Sequence, residues 1–122
     1  MKLRVARHTT QLTPLISFYT TILDLEVIGD FKNHGGYNGV FIGGRNTGWH
    51  LEFTESTEAP SNKSDDDDLL VFYVSPEEYK VITERIAANN IETVKPKNPY
   101  WEENGVTVVD PDGFRVVIAI AK

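Results

Sequence analysis

The stretch Gly48-Trp49-His50-Leu51-Glu52-Phe53-Thr54 places an imidazole and a carboxylate two positions apart. Its apolar and polar residues alternate, as in a strand with one face on a core. Side chains on a strand alternate sides, so His50, Glu52 and Thr54 share one face, and Trp49, Leu51 and Phe53 share the other. An imidazole and a carboxylate on one face can address the same ligand or the same metal, or act as a general base with its orienting acid. Near the N-terminus, Leu3, Val5 and Arg7 alternate with Arg4, Ala6 and His8, which adds a guanidinium and a second imidazole on one face of another strand. Aromatic side chains with a polar tip stand at Tyr37, Tyr73 and Tyr100-Trp101. Loop aromatics often close over ligands, and they serve equally as lids on a core or as subunit contacts.

Other chemistries are excluded by what the chain lacks. With no cysteine, it has no disulfide, thiolate metal site or thiol nucleophile. No serine stands with a histidine and an acid in a recognisable hydrolase motif, and no glycine-rich phosphate loop occurs. The net charge of −6 argues against nucleic acid as the main partner, since phosphate binding needs a basic surface. No apolar run approaches a membrane span, and the N-terminus has no apolar signal-peptide core, so the expectation is a cytoplasmic protein without a membrane partner. A length of 122 residues with 40% hydrophobic content suits one domain, or two small repeated units sharing a core.

Several elements must position these residues. Thr13-Pro14 reads as an N-cap with proline at the first helical position, and Leu15, Phe18, Tyr19, Ile22 and Leu23 follow at helical spacing. Strands are expected at 25–31 and 39–42, broken by Asn33-His34-Gly35-Gly36. Residues 55–68 form the expected linker, ending in Asp65-Asp66-Asp67-Asp68, whose like charges should keep it in solvent. That run lacks the spacing and glycine of a calcium loop. Residues 69–74 read as a strand, and Ser75-Pro76-Glu77-Glu78 as a capping box. Tyr79, Ile82 and Ile86 give the second helix its apolar stripe. A short strand at 91–95, a loop at 96–103, a strand at 105–109, a turn at Asp110-Pro111-Asp112-Gly113 and a final strand at 114–121 complete the chain.

The two halves read alike, each a strand, a proline-started helix and three strands. Thr13-Pro14 recurs as Ser75-Pro76, Asn38-Gly39-Val40 as Asn104-Gly105-Val106, and Gly48-Trp49 as Gly113-Phe114. Two βαβββ units cannot each bury a sheet face alone, so they are expected to pair, within the chain or between chains.

In this order and spacing the motifs resemble the vicinal oxygen chelate superfamily, which includes glyoxalase I, bleomycin resistance proteins and extradiol dioxygenases. The resemblance covers almost the whole chain. Phe18-Tyr19-Thr20-Thr21-Ile22-Leu23-Asp24-Leu25-Glu26-Val27 is similar to the family's helix-to-strand signature, with Asp24 where glycine is usual. His50-Leu51-Glu52-Phe53 resembles the end of the first module, and Asp110-Pro111-Asp112-Gly113-Phe114 the turn before the last strand. The resemblance implies an α+β fold: two βαβββ modules, about 1–54 and 69–122 around the 55–68 linker, forming a curled mixed sheet, a half-barrel, around a cleft in a single domain. It also implies a small-molecule ligand and a homodimer.

Enzymes of this family hold a divalent metal with four side chains. By position these fall on Arg4, Glu52, Leu69 and Val117, and of the four only Glu52 can ligate a cation. The inherited metal site is therefore expected to be absent, with no cofactor. The alternative is a divalent metal on a displaced set, His8, His50 and Glu52, serving a lyase, isomerase or dioxygenase. If the strands lie as in the family, Arg4 faces Glu52 across the cleft and neutralises it through a charge-assisted, bidentate hydrogen bond. The expected ligand site comprises Arg4, His8, Tyr37, His50, Glu52, Tyr73, Tyr100 and Trp101. The expected function is binding of a small molecule, sequestration of a toxic compound or antibiotic being one form.

Overall fold

The computed structural model describes residues 1–44, 46–61 and 63–121, and the chain divides into two compact units, Met1–Lys63 and Ser64–Lys122.

The first unit runs β1 (Leu3–His8), α1 (Leu12–Thr21), β2 (Glu26–His34), β3 (Tyr37–Gly43) and β4 (Trp49–Glu55). Its sheet has the order β1-β4-β3-β2, with β1 parallel to β4 and the other pairs antiparallel. The helical spacing delivers the apolar stripe as expected: Leu15, Phe18, Tyr19 and Ile22 are buried, as are Val40, Ile42, Leu51 and Phe53 of the sheet. Tyr19 and Phe53 meet with ring centroids 5.2 Å apart.

The helix start differs from the sequence reading. Gln11 occupies the cap without a side-chain cap bond, and Thr13-Pro14 lies inside the first turn. Proline is tolerated there because the first four helical N–H groups lack intrahelical partners anyway. Instead, the Thr9 hydroxyl accepts from the Gln11 N–H at 3.0 Å. At the other end Asp24 has φ 57°, the left-handed conformation that glycine adopts most easily and that aspartate tolerates better than most residues. The Leu25 N–H then returns to the Tyr19 carbonyl at 3.2 Å. Asn33 to Gly36 does not interrupt the sheet for long. β2 extends to His34, opposite Tyr37, and Gly35 and Gly36, both at positive φ, make the tight hairpin.

The second unit runs β5 (Leu69–Val74), α2 (Pro76–Ala88), α3 (Tyr100–Asn104), β6 (Val106–Val109) and β7 (Arg115–Ile120), with sheet order β5-β7-β6. The capping box forms as read: Ser75 Oγ accepts from the Glu78 N–H at 3.1 Å, and Glu78 Oε1 accepts from the Ser75 N–H at 3.2 Å. Ile82 and Ile86 are buried, with Val108, Val116 and Ile118 in the same core.

Two expectations fail here. Residues 91–95 make only an isolated bridge, Thr93 to Val108, so this unit has three strands where the first has four. Pro96 and Pro99 follow this segment, and two prolines remove donors that a ladder continuing past it would require. The expected loop around Tyr100-Trp101 is instead the short helix α3. The acidic run is exposed but organised: Asp66 pairs with Arg115 at 3.3 Å and Asp67 with Lys97 at 3.9 Å.

The repeat holds at the level of register. Arg4 lies beside His50 in the β1–β4 ladder, and Leu69 lies beside Arg115 in the β5–β7 ladder, both members displaced by 65 residues. Phe41 opposite Glu52 corresponds to Thr107 opposite Val117. The architecture is an α+β fold of two small mixed sheets, neither of them closed, as the resemblance implied for each module. Among the described residues no helix is long and apolar enough to cross a membrane.

Candidate functional site: the polar face of the first sheet

Alternation along β4 sends Leu51 and Phe53 into the core beneath α1, and turns His50, Glu52 and Thr54 to the opposite face. The parallel register with β1 brings Arg4 beside His50, Ala6 beside Glu52 and His8 beside Thr54. Antiparallel pairing with β3 adds Phe41, opposite Glu52. One continuous face therefore carries Arg4, His8, Phe41, His50, Glu52 and Thr54.

Arg4 is the hub. Its Nε donates to His50 Nε2 at 2.9 Å, so that nitrogen presents its lone pair and a neutral ring carries its proton on Nδ1. Its guanidinium carbon sits 4.7 Å above the centre of the Phe41 ring, a cation–π contact. Its Nη1 is 3.9 Å from Glu52 Oε2, an ion pair rather than the short bidentate bond expected from the sequence. Nor does Arg4 face Glu52 across a cleft. The two lie diagonally on adjacent strands of one sheet, because the β1–β4 register assigns the direct position to His50. His50 is 5% exposed, whereas the Arg4 side chain is 51% exposed. The cation is thus held on one side and open to solvent on the other.

His8 belongs to a separate cluster. Its Nε2 donates to the Glu58 carbonyl at 2.8 Å and lies 3.1 Å from Ser56 Oγ, while its Nδ1 is 2.8 Å from Thr54 Oγ1. Tyr37 packs edge-on against it at 5.7 Å. The imidazole ties the chain after β4 to the end of β1.

This arrangement does not fit a divalent metal. Three of the four inherited positions hold arginine, leucine and valine, which offer no lone pair. In the displaced set, the His50 lone pair is engaged by a guanidinium and His8 is engaged elsewhere, and among the described residues no group of three or more His, Asp or Glu side chains gathers to hold an ion. Val117 is fully buried and Leu69 partly so, both on the face of their sheet that carries Arg115 and Tyr73.

In the second unit, Tyr73, Tyr100 and Trp101 come together, apart from the other five expected site residues, which lie in the first unit. With Asn104, Ala119 and Ile120 they line a hollow of about 250 Å³. The sequence reading missed Phe41 and the last three of these. Phe41 carried a usable signal, since it alternates with Val40 and Ile42 onto the polar face, but only the β3–β4 register shows that it lies under Arg4. It also missed a hollow of about 530 Å³ at one end of the first sheet, lined by Lys2, Val27, Ile28, Trp49 and His50 among others. Trp49, expected in the core, is only partly buried there.

Comparison with known proteins agrees with the fold. Residues 3–54 match the YycE-like N-terminal domain and residues 67–119 the YycE-like C-terminal domain. The chain is 42% identical to the uncharacterized protein YycE of Bacillus subtilis, over 99% of this chain and 88% of that protein. A crystal structure of a YycE protein of unknown function from Bacillus subtilis superimposes with a TM-score of 0.89 at 41% identity, covering 99% of this chain and 90% of that one. Glyoxalase I of Leishmania major, described as trypanothione-dependent, shares the fold at TM-score 0.77 and 21% identity, covering 98% and 86% of the two chains. The fosfomycin resistance protein FosX of Listeria monocytogenes, crystallised with Mn(II) and a dihydroxypropylphosphonic acid, shares it at TM-score 0.72 and 16% identity, covering 98% and 90%. The chain belongs to the YycE-like family and has the fold of glyoxalase I and FosX.

Proposed function

We propose that this protein binds a small molecule on the polar face of its first sheet, with the Arg4 guanidinium standing where relatives of this fold place a metal. The observation that carries this reading is the setting of Arg4: bonded to His50 at 2.9 Å, stacked on Phe41 at 4.7 Å, and still half open to solvent. A guanidinium whose orientation is already fixed loses little freedom on meeting a ligand. Its free N–H groups suit a carboxylate, phosphonate or carbonyl oxygen, and Glu52 offers an acceptor nearby. His8 and Tyr37 border this face. Sequestration of a toxic compound by a cytoplasmic homodimer is the physiological form we favour.

The test is metal analysis of untagged protein, followed by a thermal-shift screen against metabolites and antibiotics with and without chelator. Hits that survive chelator and vanish in Arg4→Met support the reading. Stoichiometric iron, zinc, nickel or manganese, with hits that chelator abolishes, would instead make the protein a metal-dependent lyase, isomerase or dioxygenase and overturn it.

A further inference from the structure

The net charge of the chain is not evenly spread. Residues 1–63 carry six carboxylates and six lysine or arginine side chains, whereas residues 64–122 carry twelve carboxylates against six. The whole charge of −6 thus belongs to the second unit, which also holds the aromatic hollow.

That hollow has the geometry of a corner. The rings of Tyr100 and Trp101 stand at 88° with centroids 4.9 Å apart, and Tyr73 faces Trp101 at 6.4 Å and 54°. Tyr73 is 62% exposed and Tyr100 50% exposed, so this aromatic surface stays in water. Asn104 and Ala119 and Ile120 of β7 complete the lining, which among the described residues includes no lysine, arginine or carboxylate. Asn104 Nδ2 donates to the Tyr100 carbonyl at 2.7 Å and closes α3 behind the rings. Glu102 and Glu103, both exposed, sit on the same short helix.

We propose that Tyr73, Tyr100 and Trp101 form a binding corner for a small organic cation of the quaternary or tertiary ammonium class. Aromatic faces attract such a cation through their negative quadrupoles, and the attraction is largest for indole. The acidic unit raises the local concentration of cations without supplying a direct ion pair. A hollow of about 250 Å³ holds a methylated ammonium head group with its first substituents. A metal ion or a primary ammonium holds its water more firmly and gains less here. The proposal rests on the reading of this protein as a ligand binder but not on Arg4.

Choline is the probe, with its uncharged dimethylbutanol isostere as the control, followed by tryptophan fluorescence and calorimetry. Saturable choline binding is expected, at least about tenfold tighter than the isostere and weakened about tenfold in Trp101→Ala, with Tyr73→Phe close to the parent because the phenyl face persists. Arg4→Met should bind choline as the parent does, which separates this site from the first sheet. Absence of choline saturation, equal binding of the isostere, or unchanged binding in a folded Tyr73→Ala, Trp101→Ala double variant overturns the proposal.

Discussion

Arg4 and Phe41 reach one another from strands that are not neighbours. β4 lies between β1 and β3, yet the guanidinium carbon of Arg4 stands 4.7 Å above the Phe41 ring, and the same ring meets His50 edge-on at 5.8 Å. Spanning β4 in this way makes the Arg4 side chain a brace across three strands and fixes where its remaining N–H groups point.

The brace is therefore expected to matter more for binding than for stability. Arg4→Met should lower stability by no more than about 1 kcal/mol, since the side chain is half exposed and its ion pair is long. Phe41→Leu should weaken any Arg4-dependent ligand several-fold by removing the aromatic support, about 1 kcal/mol. Urea unfolding measures the first effect and calorimetry with a screening hit the second.

The two repeat glycines are predicted to differ in their tolerance of a methyl group. A Cβ at Gly105 would lie 2.6 Å from the carbonyl oxygen of Ile118, which is backbone and cannot step aside. At Gly39 the Cβ would strike the Phe31 ring at 2.3 Å, a side chain that can rotate away. Both alanine variants should be destabilised by about 1–3 kcal/mol, as overpacking generally is, with Gly105→Ala the worse. Paired urea titrations would test the order.

Phe53 is 1% exposed and stacks on Tyr19, which is fully buried. Truncation to alanine should cost about 3–5 kcal/mol, the loss typical of a large aromatic leaving a cavity. Against a total of about 5–15 kcal/mol for an ordinary domain, this would leave the first unit marginal. The expected sign is a drop in melting temperature with loss of near-ultraviolet dichroism.

Ser75→Ala removes the acceptor for the Glu78 N–H and half of the capping box. The expected cost is about 1 kcal/mol, read as a shift in the urea midpoint without a change in slope. Ser75→Asp should restore most of it, because aspartate caps equally well.

Much of the fold was legible in the chain because its signals are local. The 69–74 strand and the capping box at Ser75 follow from alternation and from a four-residue hydrogen-bonding pattern, and both appear as read. Asp24 in the place of a usual glycine is explained by one dihedral angle. The proline at position 14 misled by two residues, since proline fits anywhere in the first turn. The strand expected at 91–95 reduced to one bridge, because period-two patterning cannot report whether a partner's ladder continues.

The sequence by itself determined which side chains share a face of each strand. This follows from the two-residue period of a strand. Only the tertiary structure decided that Arg4 bonds to His50 rather than to Glu52, that His8 is occupied with the chain beyond β4, and that Phe41 lies beneath the guanidinium. Those outcomes depend on the register between strands more than thirty residues apart, which a one-residue slip would reassign entirely.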